Sequence, residues 1–138
     1  PRLRRMELAA FRGVCGLSAA FALLNGGRIV LDPIGWFSSI PDLAVTGAAN
    51  GHLIRDVGTA YLASAAGLAC AIWRPAQGAG VLAVAATFMA GPGIGHLVDI
   101  AEGCADAPGG TVTDWLGVIF PGVVTAALCG WSLRFRQT

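Results

Sequence analysis

Charge is what this chain has least of. Asp, Glu, Lys and Arg together make up 12% of its 138 residues, where a water-soluble domain carries about 25%. That shortage, beside 55% hydrophobic residues and a mean hydropathy of +0.67, excludes an ordinary soluble domain and points to a membrane protein. Lysine is missing altogether: all nine basic residues are arginine, which reads as compositional bias rather than chemistry. There is no C-x-x-C pair, and Cys15, Cys70, Cys104 and Cys129 are widely spaced. With Cys104 alone on the outer side, this argues against a disulfide framework and against a quinone-linked thiol oxidase, which needs a redox pair. A phosphate-binding glycine loop, a Ser-His-Asp order and H-E-x-x-H are also absent, which removes the corresponding catalytic classes. A non-catalytic role is the expectation.

What is present is four apolar stretches, 8–24, 53–73, 81–100 and 115–133, each near the ~17 to 25 residues that cross a hydrocarbon core. They predict an all-α, integral membrane four-helix bundle forming a single domain over 1–138, with helices at approximately 7–25, 52–73, 78–101 and 113–134. Charge then orients it. Arg2, Arg4, Arg5, Arg12, Arg74, Arg134 and Arg136 flank the termini and the second loop, opposed only by Glu7; the other face holds Arg28 and Arg55 against Asp32, Asp42, Asp56, Asp99, Glu102, Asp106 and Asp114. By the positive-inside rule both termini are cytoplasmic, as in a multi-pass protein of a bacterial inner membrane. An Arg-rich start before an apolar run also fits a signal peptide, but the alternation of charge across four segments favours a first span. The inner arginines are too few and scattered for nucleic acid and suit contact with anionic lipid headgroups.

Along the chain, Asn25-Gly26-Gly27 reads as the stop of the first helix. The long loop after it holds Pro33, Trp36, Phe37 and Pro41, which suits a short segment in the outer interface or a loop packed over the helix ends. Asn50 is a cap for the second helix, and "WRPAQG" is a tight turn that makes the second and third helices antiparallel neighbours. Gly91, Pro92, Gly93 and Gly95 predict a kink or an unwound turn in the third helix. Small residues four apart occur on every helix, Ala9/Gly13, Ala60/Ser64, Gly91/Gly95 and Ala126/Gly130, and permit close approach.

At about 100° per residue, His52, Arg55, Asp56, Thr59, Ala63, Ala66 and Cys70 share one face of the second helix, with Ile54, Val57, Tyr61, Leu68 and Ile72 opposite. The expectation is that the apolar stripe meets lipid and the charges point into the bundle. There His96 and Asp99 of the third helix would meet them. The leading reading of His52, Arg55, Asp56, His96 and Asp99 is an internal polar lock, Arg55 with Asp99 or His96 with Asp56. One alternative is a metal ion held by His52, Asp56, His96 and Asp99, and another a haem between His52 and His96. A third is an oligomeric ion transporter using the broken helix and the Asp56/His96 pair.

The motif His52-Leu53-x-Arg55-Asp56-Val57-Gly58 resembles the opening of the second helix in a family of small, uncharacterised bacterial four-helix membrane proteins. The resemblance covers roughly residues 50–99. It implies the same topology and a shared polar centre, and it carries no activity. In that family the third helix ends in Pro-His with a later His-x-x-His; here Pro92 is followed by Gly93, and the second pattern is His96-x-x-Asp99. Together these features predict a small accessory or scaffold subunit, a homo-oligomer or part of a larger membrane complex, in contact with membrane lipid.

Overall fold

The computed structural model describes residues 2–40, 43, 47–103 and 110–135. Asp42, Cys104, Asp106 and Arg136 fall outside these. Most of the described residues are helical, and four segments are long and apolar enough to cross a membrane: Arg2–Leu31, Gly51–Trp73, Pro75–Ala101 and Val112–Phe135. The elements in chain order are α1 (Arg2–Leu31), the short α2 (Pro33–Ser38), α3 (Gly51–Trp73), α4 (Gly78–Ala101), α5 (Gly110–Asp114) and α6 (Phe120–Ser132), with a wide π-helical turn at Trp115–Ile119 joining α5 to α6.

The long helices run antiparallel in the order α1, α3, α4, α6. The turn between α3 and α4 is a single 3-10 turn, Pro75–Gln77, too short for any other arrangement. The fourth span returns to α1 at one end only, where Phe11 packs against Trp131 (ring centroids 5.6 Å apart) and Phe135 (5.1 Å). There the main core forms from Phe11, Cys15, Leu68, Ala71, Leu82, Leu128 and Phe135. At the same end Glu7 accepts hydrogen bonds from Trp131 Nε1 (3.0 Å) and Arg134 Nη1 (3.4 Å). Arg12 Nε donates to the Ile72 carbonyl (2.9 Å), satisfying the C-terminal end of α3 from a neighbouring helix.

Several expectations are corrected. The first helix does not stop at Asn25-Gly26-Gly27 but continues to Leu31. Gly26 serves a close crossing rather than a left-handed cap: a methyl group there would lie 2.8 Å from the Gly58 carbonyl oxygen and 2.9 Å from Tyr61 Cβ. The cap that does use a left-handed glycine is at the end of α4, where Gly103 has φ 74°. The small-residue pairs also contribute differently from expectation. Methyl groups at Gly13, Gly91, Gly95 and Gly130 would meet nothing within 4 Å, whereas Gly26, Gly58 and Gly122 occupy the tight crossings.

Nor does α4 unwind at Gly91-Pro92-Gly93. The helix is continuous from Gly78 to Ala101 with Pro92 inside it. Pro92 is exposed, so its ring faces away from the packed interfaces, and a single missing N–H is tolerated in a membrane helix. The irregular turn lies instead opposite it, in the last span. Phe120 N–H donates to the Trp115 carbonyl, five residues back, and the widening makes room before Pro121. Gly93 faces this turn, its missing methyl 3.4 Å from Ile119 Cα.

One expectation is met in detail. Asn50 caps α3, its Oδ1 accepting from His52 N (3.1 Å) and Leu53 N (3.2 Å). The segment after α1, expected as an interfacial segment or a packed loop, contains a short helix, α2, capped by Asp32 through Gly35 N. Its Pro33 is buried, and the helix packs on α1 and α3.

Candidate functional site: the polar end of the bundle

The polar side chains at the end away from the arginines form three separate groups. The first is on α3. His52, Arg55, Asp56 and Thr59 are all exposed, with His52 Nε2 3.8 Å from Asp56 Oδ2 and their side chains 90% and 63% accessible. Thr59 Oγ1 donates to the Arg55 carbonyl. Below them Ala63, Ala66 and Cys70 are exposed as well. This overturns the expected orientation of the helix. Ile54, Gly58, Ser64, Ala65, Leu68 and Ala71 are the buried residues, so Ile54 and Leu68, placed in the lipid stripe from sequence, are core. The reason is packing: Gly58 must face α1, because only a residue without a side chain lets Ile29 and Val30 approach. That choice turns the charged face outward.

The second group joins α4 to the last span. His96 Nδ1 lies 2.9 Å from Asp114 Oδ1, with side chains 37% and 21% accessible. With the imidazole protonated the two form an ion pair between the spans. Asp114 is the partner that sequence reading missed. It is 18 positions further along the chain, and no spacing rule connects the two. His96→Ala is expected to free this junction, costing about 1 kcal/mol for a half-exposed bond and raising amide hydrogen exchange selectively over 110–119. Unchanged exchange there would remove the ion pair's structural role.

The third group surrounds Asn25. Trp36 Nε1 donates to Asn25 Oδ1 (3.2 Å), and Tyr61 lies near the same Asn25. The Tyr61 ring stands between Phe21 (6.4 Å) and Phe88 (5.3 Å) at near-perpendicular angles, a favourable edge-to-face arrangement. Asn25 therefore ties α2 to α1 beside α3, a use that its reading as a helix stop did not suggest. Arg28 Nη2 donates to Ser39 Oγ nearby (3.0 Å).

The expected lock is not assembled. Among the described residues Arg55 forms no ion pair with Asp99, and His96 pairs with Asp114 rather than Asp56. Asp99 is exposed. The four residues considered as metal ligands are divided likewise, and no three His, Cys, Asp or Glu side chains among those described come close enough to hold an ion. Buried polar side chains are satisfied within their own helices: Ser64 donates to Ala60 O, Thr125 to Pro121 O and Ser132 to Cys129 O. Among the described residues no buried side-chain nitrogen or oxygen lacks a partner. The chemistry of this end is hydrogen bonding and ion pairing, with one polar face left uncovered.

No protein-family model, curated protein or solved structure matches this chain.

Proposed function

We propose that the protein is a small, non-catalytic accessory or scaffold subunit of a bacterial inner membrane, with cytoplasmic termini, and that it works through the exposed face of α3. The observation that carries this is the uncovered row of His52, Arg55, Asp56 and Thr59 above Ala63, Ala66 and Cys70. Of the four spans α3 is the least apolar, and it turns its polar side outward. Beside that row, α3 and α4 form an apolar groove of about 450 Å³, lined by residues including Ala63, Gly67, Val84 and Phe88. Lipid tails gain nothing from polar groups, whereas a partner helix fits small-residue grooves and can hydrogen-bond to polar residues above them.

The partner most in keeping with this surface is a second copy of the chain. Arg55 and Asp56 are adjacent on one face, so a two-fold contact supplies each charge with its opposite, as a self-complementary interface requires.

Oxidative cross-linking in membranes tests it, because Cys70 is exposed and lines the groove. The expected result is a covalent dimer, absent from Cys70→Ser and lost in Ala63→Leu, which fills the groove while the bundle still folds. A chain that remains monomeric in lipid nanodiscs, with Cys70 uncross-linked, would overturn the dimer. A stoichiometric second protein cross-linked at Cys70 would replace the second copy while retaining the accessory role.

A further inference from the structure

At the opposite end of the bundle lies a cavity of about 450 Å³, lined among others by Arg4, Arg5, Leu8 and Arg12 of α1, by Pro75 of the α3–α4 turn and by Phe135. Three features give it chemistry. The three arginines and Leu8 fall along one side of α1, so Arg5 and Arg12 border the same cavity as Arg4, beside apolar surface from Leu8, Pro75 and Phe135. Among the described residues no carboxylate lines it. Glu7, the only acidic residue in the first 31 positions, is engaged elsewhere with Trp131 and Arg134. Finally, Arg12 is held in place by its Nε bond to the Ile72 carbonyl, which leaves its terminal N–H groups to face a ligand. A guanidinium fork held this way suits a phosphate oxyanion.

We propose that this cavity binds the phosphate of an anionic phospholipid. The phosphate chemistry alone would also admit free inorganic phosphate. The lipid is favoured by the floor and by the place. Leu8, Pro75 and Phe135 offer apolar surface to the glycerol and upper acyl carbons, and the site opens at the ends of helices long enough to span a bilayer, at headgroup level. Its volume lies within the ~300 to 1,000 Å³ of small-molecule sites, and basic pockets at the ends of membrane helices select anionic headgroups.

The test uses the full chain, delipidated in non-ionic detergent and followed by native mass spectrometry and thermal denaturation. Phosphatidylglycerol, phosphatidylcholine with the same acyl chains, and inorganic phosphate are added separately. Phosphatidylglycerol is expected to bind one per chain and to raise the melting temperature, and phosphatidylcholine to do neither. Arg5→Gln should weaken binding about fivefold, while Arg2→Gln, which does not line the cavity, should leave it unchanged. Arg5 is exposed, so its replacement does not threaten folding. Equal binding of the two lipids, or equal loss in both variants, would overturn the site. Inorganic phosphate binding as well as phosphatidylglycerol would overturn the lipid assignment.

Discussion

Gly122→Leu is expected to destabilise the bundle by about 3 kcal/mol, the upper part of the range for overpacking, and to do so without affecting any polar group. Even a single methyl at this position would lie 2.7 Å from the Met89 carbonyl oxygen and 2.9 Å from Ala90 Cα. Both are backbone atoms of α4, so no rotamer change relieves the clash and the two helices must separate. Thr125 and Leu128, buried in α6, and Met89, buried in α4, would lose contacts together. Gly122→Ala should already cost about 1 kcal/mol or more. Gly95→Ala, whose methyl meets nothing, should be neutral or slightly stabilising because alanine is the better helix former. Unfolding titrations of the reconstituted protein would check the contrast. Equal behaviour of the Gly122 and Gly95 variants would mean that α4 and α6 do not cross here.

The second large effect is expected at the α1–α3 crossing. A methyl on Gly58 would lie 2.8 Å from Ile29 Cγ2 and 2.9 Å from Val30 Cγ2, and one on Gly26 would lie 2.8 Å from the Gly58 carbonyl oxygen. The two glycines thus permit one contact from opposite sides. Gly58→Leu should cost about 2 to 3 kcal/mol, and Gly26→Leu at least as much because it meets backbone. Gly58→Ala should cost about as much as Gly26→Ala, since Ile29 Cβ, 2.9 Å from the added methyl, moves only with its backbone and β-branched side chains in a helix have one favoured rotamer. There is a further consequence near Asn25. Separating α1 from α3 would open the packing around Asn25, where Trp36, whose indole N–H is tied to that residue, sits on α2 between α1 and α3. Trp36 fluorescence, read with the other three tryptophans replaced by phenylalanine, should shift to the red in Gly58→Leu. An unshifted spectrum in a destabilised variant would show that Asn25 and α2 do not depend on this crossing.

The polar residues behave differently because their energies are smaller and their neighbours more varied. His52 and Asp56 are largely solvent-accessible in the isolated chain, where such a pair contributes little. They matter if α3 is covered, since the same pair out of water becomes a specific contact. His96 and Asp114 already hold two spans together at the same end of the bundle.

Composition and hydropathy alone determined that this chain forms four membrane-length helices, because a segment's apolar length and its charge are local properties. Local rules also identified Asn50 as a cap and the tight turn after Trp73, whose hydrogen bonds close within a few residues. Which way each helix faces was a tertiary decision. The periodicity of α3 separated its two faces correctly, but periodicity does not say which face meets lipid and which meets protein when both environments are apolar. Gly58 decided it through a contact with Ile29 and Val30, almost 30 positions away. The same holds for Gly26, which reads as a helix stop and serves as a crossing point, and for Pro92, which reads as a break and sits harmlessly on an outer face. His96 and Asp114 meet only because α4 and the last span pack side by side. Where the solvent around a helix is itself apolar, close packing, rather than the hydrophobic pattern, selects the interface.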